Sequence, residues 1–210
     1  MPVSTKQADN MTTDKPRTTF TASDGLKRCA WCASDPIYIQ YHDTEWGRRV
    51  TADRVIFEKI CLEGFQSGLS WITILRKREA FRRAFKGFDA TKVARFDERE
   101  VKRLLADASI VRHRGKIEAT INNARMTLAV QDDIGSLSKL VWSFAPTRKQ
   151  PIPRKYVDLR SSTPESVALS KELRRRGFKF VGPTTVYAAM QSLGLVNDHF
   201  GGCQIRRECA

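Results

Sequence analysis

The spacing of apolar residues constrains this chain most. Ile117, Ile121, Ala124 and Leu128 step by four, three and four, which lays one face along a long amphipathic helix. Val101, Leu104 and Leu105 share another helical face, and Leu137 to Phe144 reads as a further helix. The segment LSWITILRKREAFRRAFKGF is apolar nearly all round in its first half, which predicts a buried helix, and strongly basic in its second. Helix punctuation agrees. Ser34-Asp35-Pro36 supplies a capping residue and a first-turn proline, opening a helix that carries Tyr38, Tyr41 and His42. Asp53 is expected to cap a second helix through Leu62, with Gly64 ending it. Ser162 or Thr163 should cap a helix from Pro164 to Arg176 that Gly177 stops, and Pro183 opens the last long helix, to Leu193. Residues 145 to 164 hold four prolines and read as a loop. No repeat and no convincing sheet is present, so an all-α fold is expected.

The chain has 210 residues, enough for one domain or two small helical lobes on a shared core. Residues 1–25 lack periodicity and are expected to form a disordered tail, leaving 26–210 as the folded domain. No apolar run approaches the ~18 residues of a membrane span. The N-terminus has no apolar signal core, so a cytoplasmic monomer without a membrane partner is expected. The net charge is +14, of which residues 1–28 carry only +2 (five Lys and Arg, three Asp), so the excess belongs to the folded part. A basic surface of this kind favours polyanions such as nucleic acid. Arg112, Arg114 and Lys116 in RHRGK, and the cluster RRRGFK with Lys179, are candidate phosphate contacts or, as easily, solvated helix faces.

Cys29 to Trp71 is the chemically dense stretch. It holds Trp31, Trp46 and Trp71, with Tyr38 and Tyr41, and a carboxylate among apolar residues, Glu63. Aromatic faces beside a carboxylate suit a flat cationic ligand. Glu63 falls near a predicted helix C-terminus, where the macrodipole disfavours its charge; the same residue could equally be an ordinary surface glutamate. Five cysteines (29, 32, 61, 203 and 209) in a reducing compartment point to metal ligation or plain burial rather than disulfides. Cys29 and His42 bracket the aromatic segment, and His199 and Cys203 stand one helical turn apart. Two thiolates and two imidazoles match a structural zinc, but the wide separation of the pairs leaves buried cysteines and ordinary histidines open.

YHDTEWG, ICLEGFQSGLSW, RHRGKI, RGFKFVG and GLVNDH, in this order between residues 27 and 203, resemble the DNA-3-methyladenine glycosylase I family of the helix–hairpin–helix superfamily. The resemblance implies a monofunctional enzyme of base excision repair. It would flip 3-methyladenine from alkylated double-stranded DNA, excise it hydrolytically and release the free base. It implies that one zinc ion on Cys29, His42, His199 and Cys203 pins the chain ends. It also implies that Tyr41 and Trp71 sandwich the base, with Trp46 near, and that Glu63 reads it. Gly68 or Leu69 would fill the gap left in the duplex, and the hairpin around Lys179, Gly182 and Thr184 would meet a phosphate. RGFKFVG departs from the superfamily's Leu-Pro-Gly-Val-Gly hairpin. The general base stays open between Glu63, Asp198 and none. The competing reading is a non-catalytic zinc-stapled DNA-binding module. A zinc deaminase is disfavoured, since His42-Asp43-Thr44 supplies no H-x-E motif and four protein ligands close the metal site.

Overall fold

The structure, a computed structural model, describes residues 17–148 and 150–209. It is almost wholly helical. A two-stranded antiparallel ribbon, β1 (Thr19–Thr21) and β2 (Lys27–Cys29), precedes nine α-helices among the described residues. They are α1 (Pro36–Thr44), α2 (Asp53–Gln66), α3 (Trp71–Ala84), α4 (Ala90–Val93), α5 (Glu98–Ala106), α6 (Arg114–Ile134), α7 (Leu137–Trp142), α8 (Pro164–Arg175) and α9 (Pro183–Ser192).

The ribbon corrects the all-α expectation in a small way and reaches into the expected tail. Thr19 pairs with Cys29, so the described part of residues 1–25 is built into the fold. Residues 1–16 lie outside the described residues. At three residues each, the strands are too short for an alternating pattern to show in sequence.

Local signals account for most helix starts. The Asp35 side chain accepts from the Ile37 amide, Asp97 accepts from Arg99 and Glu100, and Thr163 and Ser166 form a reciprocal capping box. Asp53 behaves differently from expectation. It lies inside the first turn of α2, and its carboxylate accepts the amides of Leu137 and Ser138 and the side-chain amide of Gln131. It therefore caps α7, more than eighty residues away in sequence.

Helix α2 is the axis of the molecule. Residues Ile56 through Phe65 are all buried, and α3, α6, α7 and α9 surround it. Gly64 does not stop this helix. A β-carbon there would stand 3.3 Å from Phe180 Cβ, so the glycine admits the α8–α9 connection against the helix surface. The helix runs on to Gln66, and Gly68, at φ +82°, turns the chain toward α3. Phe57, Phe65, Phe81, Phe85 and Phe88 fill the space between α2 and the α3 end.

A second, small cluster gathers both chain ends: Cys29, Phe200, Cys203, Ile205 and Cys209. The segment after α1 is fastened to the end of α9, because Gly47 and Val50 amides donate to the carbonyls of Gln191 and Leu193. Gly194, at φ +78°, makes this possible; a β-carbon would lie 2.6 Å from the Arg48 carbonyl carbon and oxygen. Gly194→Ala is expected to destabilise the protein by about 3 kcal/mol or more, combining left-handed strain with a backbone clash. Chemical denaturation checks this; a loss below about 1 kcal/mol would mean the contact relaxes freely.

Candidate active site and metal centre

Helices α1 and α2 bring the aromatic stretch to one cleft of about 340 Å³. Trp31, Tyr38, Tyr41, Trp46, Glu63 and Trp71 line it. Trp31 packs edge-on against both Tyr38 and Trp46, with centroids 4.9 and 5.0 Å apart. Tyr41 and Trp71 lie 5.4 Å apart at 48°. A base sandwiched between them, as expected, requires the two rings to part. A purine between two parallel rings needs faces ~7 Å apart, two stacking distances, and these rings instead touch as adjacent walls. Trp71 Nε1 is buried without a partner among the described residues.

Glu63 is the polar centre of the cleft. It is only 5% exposed and stands in the last turn of α2 among Leu62, Phe65 and the aromatic walls. Its carboxyl has no hydrogen-bond partner among the described residues. Burial pushes it up to about 8, with the charge of Lys59 pulling the other way. In the empty cleft at neutral pH the acid is therefore mostly protonated. The same burial raises the phenol of Tyr41 well above its usual range.

Sequence reasoning did not single out five cleft residues, of which Gln66 ends α2. Tyr156 and Leu159 come from the proline-rich loop, and Ala188 and Gln191 from one face of α9. The loop has no period from which orientation could be read. Asp198 lines a different hollow, with Arg154 and Arg160, and its Oδ2 accepts from Tyr187 (2.6 Å) and Gln191 (2.8 Å).

The α2–α3 turn, residues 67–70, projects beside the cleft, with Gly68 exposed and Leu69 39% exposed. Lys116 requires a correction. It is buried, and its ammonium donates to the Phe65 (2.8 Å) and Ser67 (2.6 Å) carbonyls, so it closes the C-terminus of α2 instead of presenting charge to solvent. Arg114 is tied to Glu98 and Glu118, while the Arg112 side chain is exposed. Between α8 and α9 the chain is pinned to α6: Asn122 donates to the Gly177 carbonyl, and Asn123 pairs with both backbone groups of Lys179. This leaves the Lys179 side chain exposed, Phe180 at φ +54° and 39% exposed, and the start of α9 at Gly182 and Thr184 open. Phe180 drew no attention in the sequence.

Cys29, His42, His199 and Cys203 converge, all buried, with ligand atoms within 4.8 Å of one another. Cys203 Sγ stands 3.5 Å from His42 Nε2 and 3.6 Å from His199 Nδ1, and Cys29 Sγ 3.7 Å from His199 Nδ1. A tetrahedral ion with bonds of ~2.0–2.3 Å spaces its donors ~3.3–3.8 Å apart, so the cluster could hold a metal. The outward nitrogens strengthen the fit. His42 Nδ1 lies 2.7 Å from Asp43, and His199 Nε2 lies 3.1 Å from the Trp46 carbonyl. With protons on those nitrogens, Nε2 of His42 and Nδ1 of His199 face each other as lone pairs 3.1 Å apart, an arrangement that calls for a cation between them. His199 and Cys203 do not sit on a helix as the spacing suggested; a turn closed by the Cys203 amide on the Phe200 carbonyl folds both side chains inward.

A helical fold, an aromatic cleft around one carboxyl and a Cys₂His₂ cluster joining the chain ends define the architecture that comparison with known proteins identifies. Residues 31–207 match the methyladenine glycosylase family, and the chain belongs to that family. It is 50% identical over 179 residues to DNA-3-methyladenine glycosylase 1 of Escherichia coli (strain K12), covering 85% of this chain and 96% of that protein. A crystal structure of 3-methyladenine DNA glycosylase I aligns with a TM-score of 0.81 at 50% identity, over 84% of this chain and 98% of the other. The Staphylococcus aureus enzyme, whose structure concerns 3-methyladenine recognition, aligns at 0.81 with 36% identity, over 85% and 96% of the two chains.

Proposed function

We infer that this protein is a DNA repair N-glycosylase that excises 3-methyladenine from alkylated DNA. The observation that carries the reading is Glu63: a carboxyl on a residue only 5% exposed, with no protein hydrogen-bond partner among the described residues and its oxygens open to an aromatic cleft, in a chain of the methyladenine glycosylase family. A non-catalytic DNA-binding module has no use for such a group, which lowers stability and contacts no phosphate.

The chemistry follows from the ligand. Methylation at N3 leaves the adenine cationic and its glycosidic bond weak. The flipped cation stacks against the rings of Tyr41 and Trp71, with Trp46 behind, and draws Glu63 into its carboxylate form as it enters. Water adds at C1′ and loses a proton; the N9–C1′ bond breaks with its electron pair moving into the base, which leaves as neutral 3-methyladenine. No lysine lines the cleft among the described residues, consistent with hydrolysis and no strand-cleaving step. Asp198, held by Tyr187 and Gln191 in a separate hollow, is a weaker candidate for the base than Glu63.

Leu69 and the Gly68 backbone are read as the wedge that fills the duplex after flipping. The α8–α9 connection is read as a helix–hairpin–helix element, with Lys179, Gly182 and Thr184 meeting one phosphate and Arg112 another. Cys29, His42, His199 and Cys203 would hold one zinc ion, which pins the ends of the glycosylase domain and, with four protein ligands, carries no reacting water.

The test is base release from N-methylated duplex DNA. The purified protein is expected to liberate free 3-methyladenine and to leave abasic sites with uncut strands. Binding of the DNA with no base release would restore the non-catalytic reading; immediate strand cleavage would contradict a monofunctional enzyme.

A further inference from the structure

Beneath the cleft lies a layer of ionisable groups, most of which the reaction above does not use. From α1 it receives Tyr38 and Tyr41, from the residue that ends α1 Glu45, from α2 Glu58, Lys59 and Glu63, and from α3 Arg78 and Arg82. Two of the carboxylates are matched. Glu45 takes a bidentate pair from Arg78 at 2.6 and 2.8 Å, and Glu58 accepts from Arg82 at 2.8 Å. Lys59 and Glu63 are left without hydrogen-bonded partners among the described residues, one turn apart on the same helix face. Lys59 is 7% exposed, its ammonium stands 5.5 Å from the centre of the Tyr41 ring, and it does not line the cleft. It therefore cannot reach a sugar carbon as a nucleophile. Its charge acts on the cleft through Tyr41 and Glu63 alone.

We propose that Lys59 is the buried counter-charge of Glu63 and sets the pH window in which the cleft recognises a cationic base. The inference rests on Glu63 being the reader. A positive charge one turn away makes the carboxylate cheaper to form, and burial makes it costlier; the balance decides how alkaline the solution must be before the empty cleft is ready for a cation. Burial also lowers the affinity of Lys59 for its own proton, opposed by Glu45 and then Glu63, so the two groups support each other's charged forms. The same ammonium repels the incoming base. Its removal should thus move the pH at which binding saturates without weakening the saturated complex, a pattern that loss of packing does not produce.

The probe is 3,9-dimethyladenine, a fixed cation that still carries a substituent at N9. Its affinity is followed by tryptophan fluorescence between about pH 6 and pH 10, for the parent, Lys59→Met, Lys59→Arg and Glu63→Gln, at constant salt. The parent's affinity is expected to rise about tenfold per pH unit and then level off. Lys59→Met should level off about one unit or more higher, with a plateau no weaker than the parent's. Lys59→Arg keeps the charge and should follow the parent. Lys59→Gln gives the same readout as Lys59→Met should that variant fail to fold. Glu63→Gln should show no step. An unmoved midpoint in Lys59→Met, or a loss of affinity equal at every pH, overturns the role of Lys59 while leaving Glu63 as the reader. A step that persists in Glu63→Gln overturns both assignments.

Discussion

Glu63→Gln is expected to melt higher than the parent at neutral pH while binding the cationic base more weakly. Glutamine keeps the shape and loses the titration. In the folded parent the carboxyl is pushed up to about 8 by burial, against a usual value of 4.5. The sign follows from that direction. A group raised on folding contributes its full stability below the unfolded value and loses it as pH climbs through the folded one. Below about pH 4.5 both states are protonated and parent and variant are alike. At pH 7 the unfolded chain has released this proton and the folded chain has not, which costs the parent about 3 kcal/mol. Glutamine has no proton to release, so the variant escapes that cost; at this chain length about 3 kcal/mol corresponds to roughly 6–12 °C in melting temperature. Binding moves the other way. A charge-assisted hydrogen bond of about 1.5–3 kcal/mol disappears, which is roughly 10–100-fold in affinity for a cationic purine once the parent's carboxyl is ionised. The loss is smaller at neutral pH, where the parent must first release its proton. Affinity for undamaged duplex, set by phosphates, should hardly change. Melting curves at pH 5 and pH 7.5, with the two affinities at fixed salt, decide it. Equal melting temperatures at both pH values would mean that Glu63 has a partner in solution; equal affinity for the base would remove it as the reader.

Only a faint sign of Glu63 stood in the sequence, and its role as reader came from the family resemblance. A carboxylate in the last turn of a helix, flanked by Cys61, Leu62 and Phe65, conflicts with both burial and dipole, and such conflicts can mark function. The helices were legible for the ordinary reason that α6 shows its stripe at Ile117, Ile121 and Ala124. The capping residues Asp35 and Thr163 are equally local signals. What failed was tertiary. Gly64 looks like a stop because nothing in the sequence tells that Phe180 approaches it. Asp53 looks like a cap for its own helix because its partners at Leu137 and Ser138 are distant. Lys116 is instructive because the signal was present: it falls beside Ile117 and one turn before Thr120, on the buried stripe of α6, so the basic run RHRGK was misread by composition when its period already turned one member inward. Tyr156 and Leu159 reach the cleft from an irregular loop, where no periodicity exists to orient them.

Cys203→Ser should abolish metal binding and lower stability by several kcal/mol, the largest effect expected of any single substitution away from the core. Four donors already stand within 4.8 Å of one another, so a bound ion would meet a site that folding has largely assembled, and its binding energy would become folding energy. In isolated zinc fingers that energy is about 10–16 kcal/mol; loss of one of four ligands from a domain with its own core should cost a fraction, about 3–6 kcal/mol, or roughly 10 °C or more. What such an ion would join sets where the damage should appear. Cys29 ends the ribbon, His42 sits on α1 below the aromatic walls, and His199 and Cys203 belong to the C-terminal segment. His199 also meets the Trp46 carbonyl, so the loss should loosen a cleft wall as well as the chain ends. Cys32 and Cys209 are the controls. The Cys32 thiol donates to the Cys29 carbonyl at 3.1 Å, and Cys209 approaches His199 on Nε2, at 3.4 Å, the nitrogen turned away from the cluster. Serine at either should keep one metal ion per chain. Elemental analysis and melting curves of the four cysteine-to-serine variants at positions 29, 32, 203 and 209 separate ligands from neighbours. A Cys203→Ser protein that retains a full metal complement and melts with the parent would show that the cluster is only a packed group of thiols and imidazoles, and the chain ends would then owe their closure to Phe200, Ile205 and the ribbon alone.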